Sequence, residues 1–175
     1  MSNYFRPDAY YKNLASIDPS EHRNLGYKVA IFDFDNTLSK HGSSQSNAYA
    51  NKQIERWQQA GFKVYLISNA KQDRADILAK DISVKLIGDA KKPSTKAFEK
   101  VQNLAGSKKA EMIYYGDQVF TDVLAARRFG IAVVLVDPLS RNEPFYIKLK
   151  RLLESFLKQL LSFTDYFDDL IAGSK

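Results

Sequence analysis

The stretch Lys28-Val-Ala-Ile-Phe-Asp33-Phe-Asp35-Asn-Thr37-Leu38 decides how this 175-residue chain is read. Residues 28–34 are short and near-continuously apolar, as a strand is when helices cover both faces of its sheet. The run ends in two carboxylates, Asp33 and Asp35, two positions apart. Residues at that spacing leave a strand on the same side and crowd one another. Their repulsion is costly unless a cation lies between them or one carries a proton. In an open parallel sheet, ligands bind beyond the carboxyl ends of the strands, where strand order reverses. A carboxylate nucleophile beside a proton-transferring carboxylate is one arrangement that uses both groups.

Outward from this stretch, four further strands are expected over 62–68, 84–87, 111–115 and 131–136. Helical periodicity fills the intervals at 46–60, 71–80, 93–105 and 121–129, with Gly61, Gly106 and Gly130 placed to end three of the helices. Pro93 suits the first turn of its helix, where a missing N–H costs nothing. Such alternation predicts an α/β fold: a three-layer, Rossmann-like domain with a central parallel sheet and right-handed crossovers. Residues 1–27 read as an irregular arm or short helix packed on the core, 28–140 as the core itself, and 141–175 as an amphipathic helix and tail. The whole is one domain in length.

Composition narrows the chemistry. At 45% hydrophobic and 13% aromatic the chain is globular rather than disordered. With no cysteine it has no disulfide framework, thiol nucleophile or Cys-ligated metal. With only His22 and His41, any metal is a hard ion held by oxygen. No window reaches the roughly 18 apolar residues a membrane span needs, and the N-terminus shows no secretory signal. The expected location is therefore cytoplasmic, with peripheral contact on the inner face of the membrane left open. A formal charge of +6 fits an anionic partner or plain solubility equally well.

Three more polar groups fall at predicted strand ends. Ser68-Asn69 follows the second strand, Lys91-Lys92-Pro93 precedes the third helix, and Gly116-Asp117-Gln118-Val119-Phe120-Thr121-Asp122 follows the fourth strand. A hydroxyl and an ammonium together can hold phosphoryl oxygens, and Asp117 can complete a carboxylate cage for Mg²⁺. Gly116 permits close backbone approach, and Asp122 falls in a first helical turn, where the dipole favours negative charge. Singly, each has an ordinary structural explanation as a turn, a cap or a solvated charge. Together, in strand-end register, they point to one site.

This constellation resembles the haloacid dehalogenase-like (HAD) phosphatases, whose pattern is D-x-D-x-T, then Ser or Thr, then Lys, then a G-D-x₄-D acidic motif. Arg6-Pro7-Asp8-Ala9-Tyr10, Asp33 to Leu38, Lys91-Lys92-Pro93 and the Gly116–Asp122 run also look like the YqeG family, which is similar to HAD-type phosphatidylglycerophosphatases. The resemblance implies Asp33 as nucleophile and Asp35 as general acid and base. It implies phosphate binding by Ser68, Asn69 and Lys92, the lysine adjoining Pro93 being preferred to Lys91. It further implies Mg²⁺ held by Asp33, Asp117 and Asp35 through its carbonyl, with Thr37 and Asp122 supporting. An aspartyl-phosphate intermediate and phosphatidylglycerophosphate as favoured substrate follow from the same likeness. A phosphoprotein, a sugar phosphate, a nucleotide, or binding without turnover are the alternatives.

Spacing adds one expectation. The intervals from Asp35 to Asn69 and from Ser68 to Lys92 hold no separate lid, so the site is expected to be capless and open to a bulky substrate. The polar loop His41–Asn47 would border its entrance. Over 141–161, Arg141, Lys148, Lys150, Arg151 and Lys158 outnumber Glu143 and Glu154. The apolar face of 144–161 would dock on anionic lipid or pack on the core or a second subunit. The expected partner is thus a phosphorylated substrate, a lipid phosphate among the candidates. Nucleic acid is not expected, since no aromatic–basic signature is present.

Overall fold

The computed structural model describes residues 4–40 and 48–140. The loop at 41–47, the amphipathic segment at 144–161 and the rest of 141–175 lie outside the described residues.

In chain order the elements are β1 (Ala9–Tyr11), α1 (Pro19–Asn24), β2 (Val29–Asp33), α2 (Ala48–Gln59), β3 (Lys63–Ile67), α3 (Gln72–Ala79), β4 (Lys85–Ile87), α4 (Lys96–Ala105), β5 (Met112–Gly116), α5 (Leu124–Phe129) and β6 (Ala132–Val136). The six strands form one parallel sheet in the order β1-β6-β5-β2-β3-β4. The fold class expected from the apolar runs is the one observed. The chain goes outward from β2 to β4 and then returns through β5 and β6. Strand order therefore reverses between β2 and β5, and the crevice that collects ligands opens there.

Alternation along the central strands divides the core. Ala30 and Phe32 of β2 and Ile113 and Tyr115 of β5 face one layer, with Ile54 and Trp57 of α2 and Leu78 of α3. Val29 and Ile31, with Met112 and Tyr114, face the other, against Phe98 and Val101 of α4 and Phe129 of α5. Every residue of β2 and of β5 is buried, as a strand covered on both faces must be. Gly106 and Gly130 sit left-handed at the ends of α4 and α5, where a residue without Cβ pays no steric cost.

Three expectations need correction. The arm at 1–27 is not merely irregular or helical: Ala9–Tyr11 adds a sixth strand at the sheet edge beside β6. Asp8 fastens it, its N–H donating to the Val133 carbonyl while its carboxylate accepts the Val133 N–H, each at 2.8 Å. Second, α4 begins at Lys96, so Pro93 lies in the loop before the helix rather than in its first turn. Third, the helix expected over 121–129 starts with a π-helical turn, Val119–Val123, before α5.

The described residues insert no further domain between the strands, and among them no helix is long and apolar enough to cross a membrane.

Candidate active site

Asp33 ends β2 beside Tyr115 and Gly116 of β5, so Asp117 follows on the neighbouring strand. After β2 the chain turns sharply. Asn36 takes a left-handed conformation (φ 67°), which Asn tolerates better than most residues. The Leu38 and Ser39 N–H groups both return to the Phe34 carbonyl. This turn brings Thr37 back over Asp33, its Oγ1 3.5 Å from Oδ2.

Lys92 comes from the loop after β4. That loop is fastened to the one after β3: Ala90 N–H donates to the Ser68 carbonyl, Asp89 N–H to the Ala70 carbonyl, and Lys92 N–H to Asn69 Oδ1. Asn69, expected as a phosphate ligand, thus uses its side-chain oxygen to hold the backbone of Lys92. Lys91 is exposed, whereas Lys92 is buried. The Lys92 ammonium donates to Asp33 Oδ1, to Asp122 Oδ1 at 2.6 Å and to the Tyr114 hydroxyl at 2.8 Å.

The π-helical turn places Asp122. Its Oδ2 accepts the Gln118 N–H at 3.0 Å, and its Oδ1 accepts the Tyr114 hydroxyl at 2.9 Å. A Cβ on Gly116 would lie 2.6 Å from both Cβ and Cγ of Asp122. The glycine is therefore what lets this carboxylate come under the strand end.

Asp33, Asp117 and Asp122 are all buried, and each offers an oxygen within 4.8 Å of the other two. The Asp35 side chain lies outside this cluster. Its Oδ2 accepts the Ser68 hydroxyl at 2.8 Å and its Oδ1 accepts Arg74 at 2.8 Å. The clustered side chains are thus those of Asp33, Asp117 and Asp122. A metal contact from Asp35 would have to come through its carbonyl.

Electrostatics follow from this crowding. Burial pushes the Asp33 carboxyl well above its ordinary range; Lys92 opposes the shift, while Asp122, Asp117 and Asp35 add to it. Burial disfavours the Lys92 ammonium, but Asp122 and Asp33 outweigh that cost and hold its pKa above the usual value. Burial also raises the Tyr114 phenol, with Asp122 and Asp33 adding to it, so Tyr114 stays a proton donor. Three buried carboxylates face one ammonium. Hard oxygen donors with surplus negative charge fit a divalent ion of the Mg²⁺ type.

Tyr114 and Arg74 are absent from the sequence reading. Tyr114 carried a faint signal, since a buried tyrosine hydroxyl must find a partner. Arg74 carried none.

A parallel sheet with acidic, hydroxyl and ammonium groups gathered at its switch point defines the class: an α/β phosphatase of the HAD type. The chain belongs to the mitochondrial PGP phosphatase family, whose match covers residues 2–140. It is 29% identical over 154 residues to the probable phosphatase YqeG of Bacillus subtilis, spanning 88% of this chain and 90% of that one. It is 31% identical over 166 residues to the chloroplastic/mitochondrial phosphatidylglycerophosphate phosphatase 1 of Arabidopsis thaliana, spanning 89% of this chain and 48% of the plant protein. In fold alone it is similar to an uncharacterized protein from Listeria monocytogenes (TM-score 0.51, 16% identity, 75% of this chain and 99% of that one). A hypothetical protein from Xanthomonas campestris is alike to the same degree (TM-score 0.51, 17% identity, 80% and 79%).

Proposed function

We propose that this phosphatase hydrolyses phosphatidylglycerophosphate in a Mg²⁺-dependent reaction through an aspartyl-phosphate on Asp33. The observation that carries the reading is the Lys92 ammonium bridging Asp33 and Asp122 beside Asp117, at the strand-order reversal. The substrate comes from the family and from the activity that the plant relative's name states.

Asp33, Asp117 and Asp122 would hold the ion, with the Asp35 carbonyl as a further donor. When bound, it would neutralise phosphoryl oxygens and offset the mutual repulsion of the carboxylates. Lys92 adds a fixed positive charge at Asp33, which favours the anionic nucleophile. Ser68 turns its hydroxyl from Asp35 to a phosphoryl oxygen. A carboxylate oxygen of Asp33 bonds to phosphorus as the ester P–O bond breaks, and Asp35 gives its proton to the departing alkoxide. Asp35 then takes a proton from the water that attacks the aspartyl-phosphate. Phosphate leaves, and both carboxylates return to their starting state.

The segment 144–161 belongs to this proposal as the membrane contact, its basic residues suiting anionic lipid. Co-sedimentation with vesicles containing phosphatidylglycerol is expected at low salt; its absence there removes the membrane contact.

The test of function is a phosphate-release screen over lipid, sugar, nucleotide and phosphopeptide monoesters. Release from phosphatidylglycerophosphate, dependent on Mg²⁺ and abolished in a folded Asp33→Asn variant, is expected. Near-normal turnover in that variant overturns Asp33 as nucleophile, and preference for another monoester replaces the substrate.

A further inference from the structure

Asp35 is held at both oxygens by groups that have different fates in the reaction. Ser68 Oγ donates to Oδ2 at 2.8 Å, and Ser68 is the hydroxyl that must turn to the phosphoryl group. The Ser68 oxygen itself accepts the Ala70 N–H at 2.9 Å, so it pivots in place. Arg74, from the first half of α3, donates through Nη2 to Oδ1 at 2.8 Å. Once Ser68 serves substrate, Arg74 is the remaining one of these two donors to Asp35.

We propose that Arg74 is a positioning residue for proton transfer: by occupying Oδ1 it makes Oδ2 the oxygen of Asp35 that delivers and retrieves the proton. A guanidinium suits this task, since it donates along a fixed direction and never gives up its own proton. Its side chain is 31% exposed and that of Asp35 16%. The pair is thus nearer the surface than Lys92 and the carboxylates it pairs with. In the first step the Oδ2 proton passes to the alkoxide as the ester P–O bond breaks. In the second, Oδ2 receives a proton from the attacking water. Oδ1 stays on Arg74 throughout.

The proposal rests on Asp35 as the general acid and base. It is tested with kcat/KM, which reports every step up to departure of the leaving group. p-Nitrophenyl phosphate releases a phenolate that needs no proton, whereas phosphatidylglycerophosphate releases an alkoxide that does. In Arg74→Met, kcat/KM for the lipid ester is expected to fall about 100-fold, the scale of a misplaced catalytic group. For the aryl ester it should fall less than about fivefold by the same reasoning, with inhibition by inorganic phosphate unchanged. Arg74→Lys, which keeps the charge, should recover part of the loss. Equal losses on both esters, or weakened phosphate inhibition, would make Arg74 a structural or phosphate-binding group and overturn the proposal. Asp35→Asn separates the two levels. If it discriminates between the esters and Arg74→Met does not, this proposal alone fails. If Asp35→Asn does not discriminate, the role of Asp35 fails and the proposal with it.

Discussion

The Lys92 ammonium and the Asp122 carboxylate meet at 2.6 Å with side chains only 3% and 1% exposed, and the same ammonium reaches Asp33. Removing one partner of a buried ion pair leaves the other charged in a poorly solvated place. Lys92→Met is expected to lose turnover and about 3 to 5 kcal/mol of stability. Urea unfolding with and without Mg²⁺ checks this: a divalent ion should restore part of the loss, and an equal deficit in both conditions would show that the carboxylates do not share it.

Tyr114 completes the same group, accepting from Lys92 and donating to Asp122. Tyr114→Phe keeps the ring that packs on Phe98 and removes only the oxygen. A stability loss of about 1 to 3 kcal/mol is expected, the cost of leaving buried polar partners short of a bond. Chemical denaturation measures it, and an unchanged midpoint would mean that Lys92 and Asp122 re-pair without the phenol.

Gly116 has no room for a side chain, with Asp122 2.6 Å from where a Cβ would stand. In Gly116→Ala the strand end or Asp122 must move. Turnover should drop about 100-fold, as a shift near 1 Å in a reacting group does. Phosphate release at saturating substrate reads the effect, with a thermal melt to show that the variant is folded.

His22 makes stability depend on pH. It is fully buried, with Nδ1 2.5 Å from the Tyr115 hydroxyl. Burial pushes its pKa down from 6.5 to about 4, with Asp18 partly opposing. Burial raises the Tyr115 phenol, so it stays protonated beside the neutral ring. A depressed folded pKa means that the unfolded chain binds the proton first. The contribution is therefore complete above pH 6.5 and is lost as pH falls toward 4, by about 3 kcal/mol. Asp33, whose folded pKa is raised, acts oppositely: its contribution is present in acid and lost as pH rises. The clean measurement is the difference in unfolding free energy between the parent and His22→Gln at pH 7.5 and 4.5. A difference that does not change with pH would contradict the buried neutral imidazole.

Binding of Mg²⁺ should raise the melting temperature, since a ligand that favours the folded state stabilises it by mass action, about 2.7 kcal/mol at 100 times its Kd. Asp117→Asn should abolish most of that rise. A rise that survives in this variant would place the ion away from the Asp33, Asp117 and Asp122 cluster.

Much of the architecture was legible because short, apolar, β-rich runs mark strands covered on both faces. β2, β3, β4 and β6 fall within the expected ranges and β5 runs one residue past its own, and a parallel sheet gathers their carboxyl ends at one edge. Asp33 and Asp117 come within reach of one another for that reason. β1 was not legible, because Ala9-Tyr10-Tyr11 is three residues long and becomes a strand only by pairing with β6, more than 120 positions later.

What the residue order determined by itself is the alternation of strands and helices and the acidic, hydroxyl and ammonium groups at the strand ends, for these are written in local pattern. Only the tertiary structure decided which partner each group takes. It put Arg74 on Asp35 across 39 positions, Tyr114 on Lys92 across 22 and Asn69 on the Lys92 backbone. It also bent Val119–Val123 into the π-helical turn that carries Asp122 to the ammonium. Such pairings depend on how helices settle against the sheet and on which buried charge most needs neutralising, and neither leaves a periodic mark along the chain.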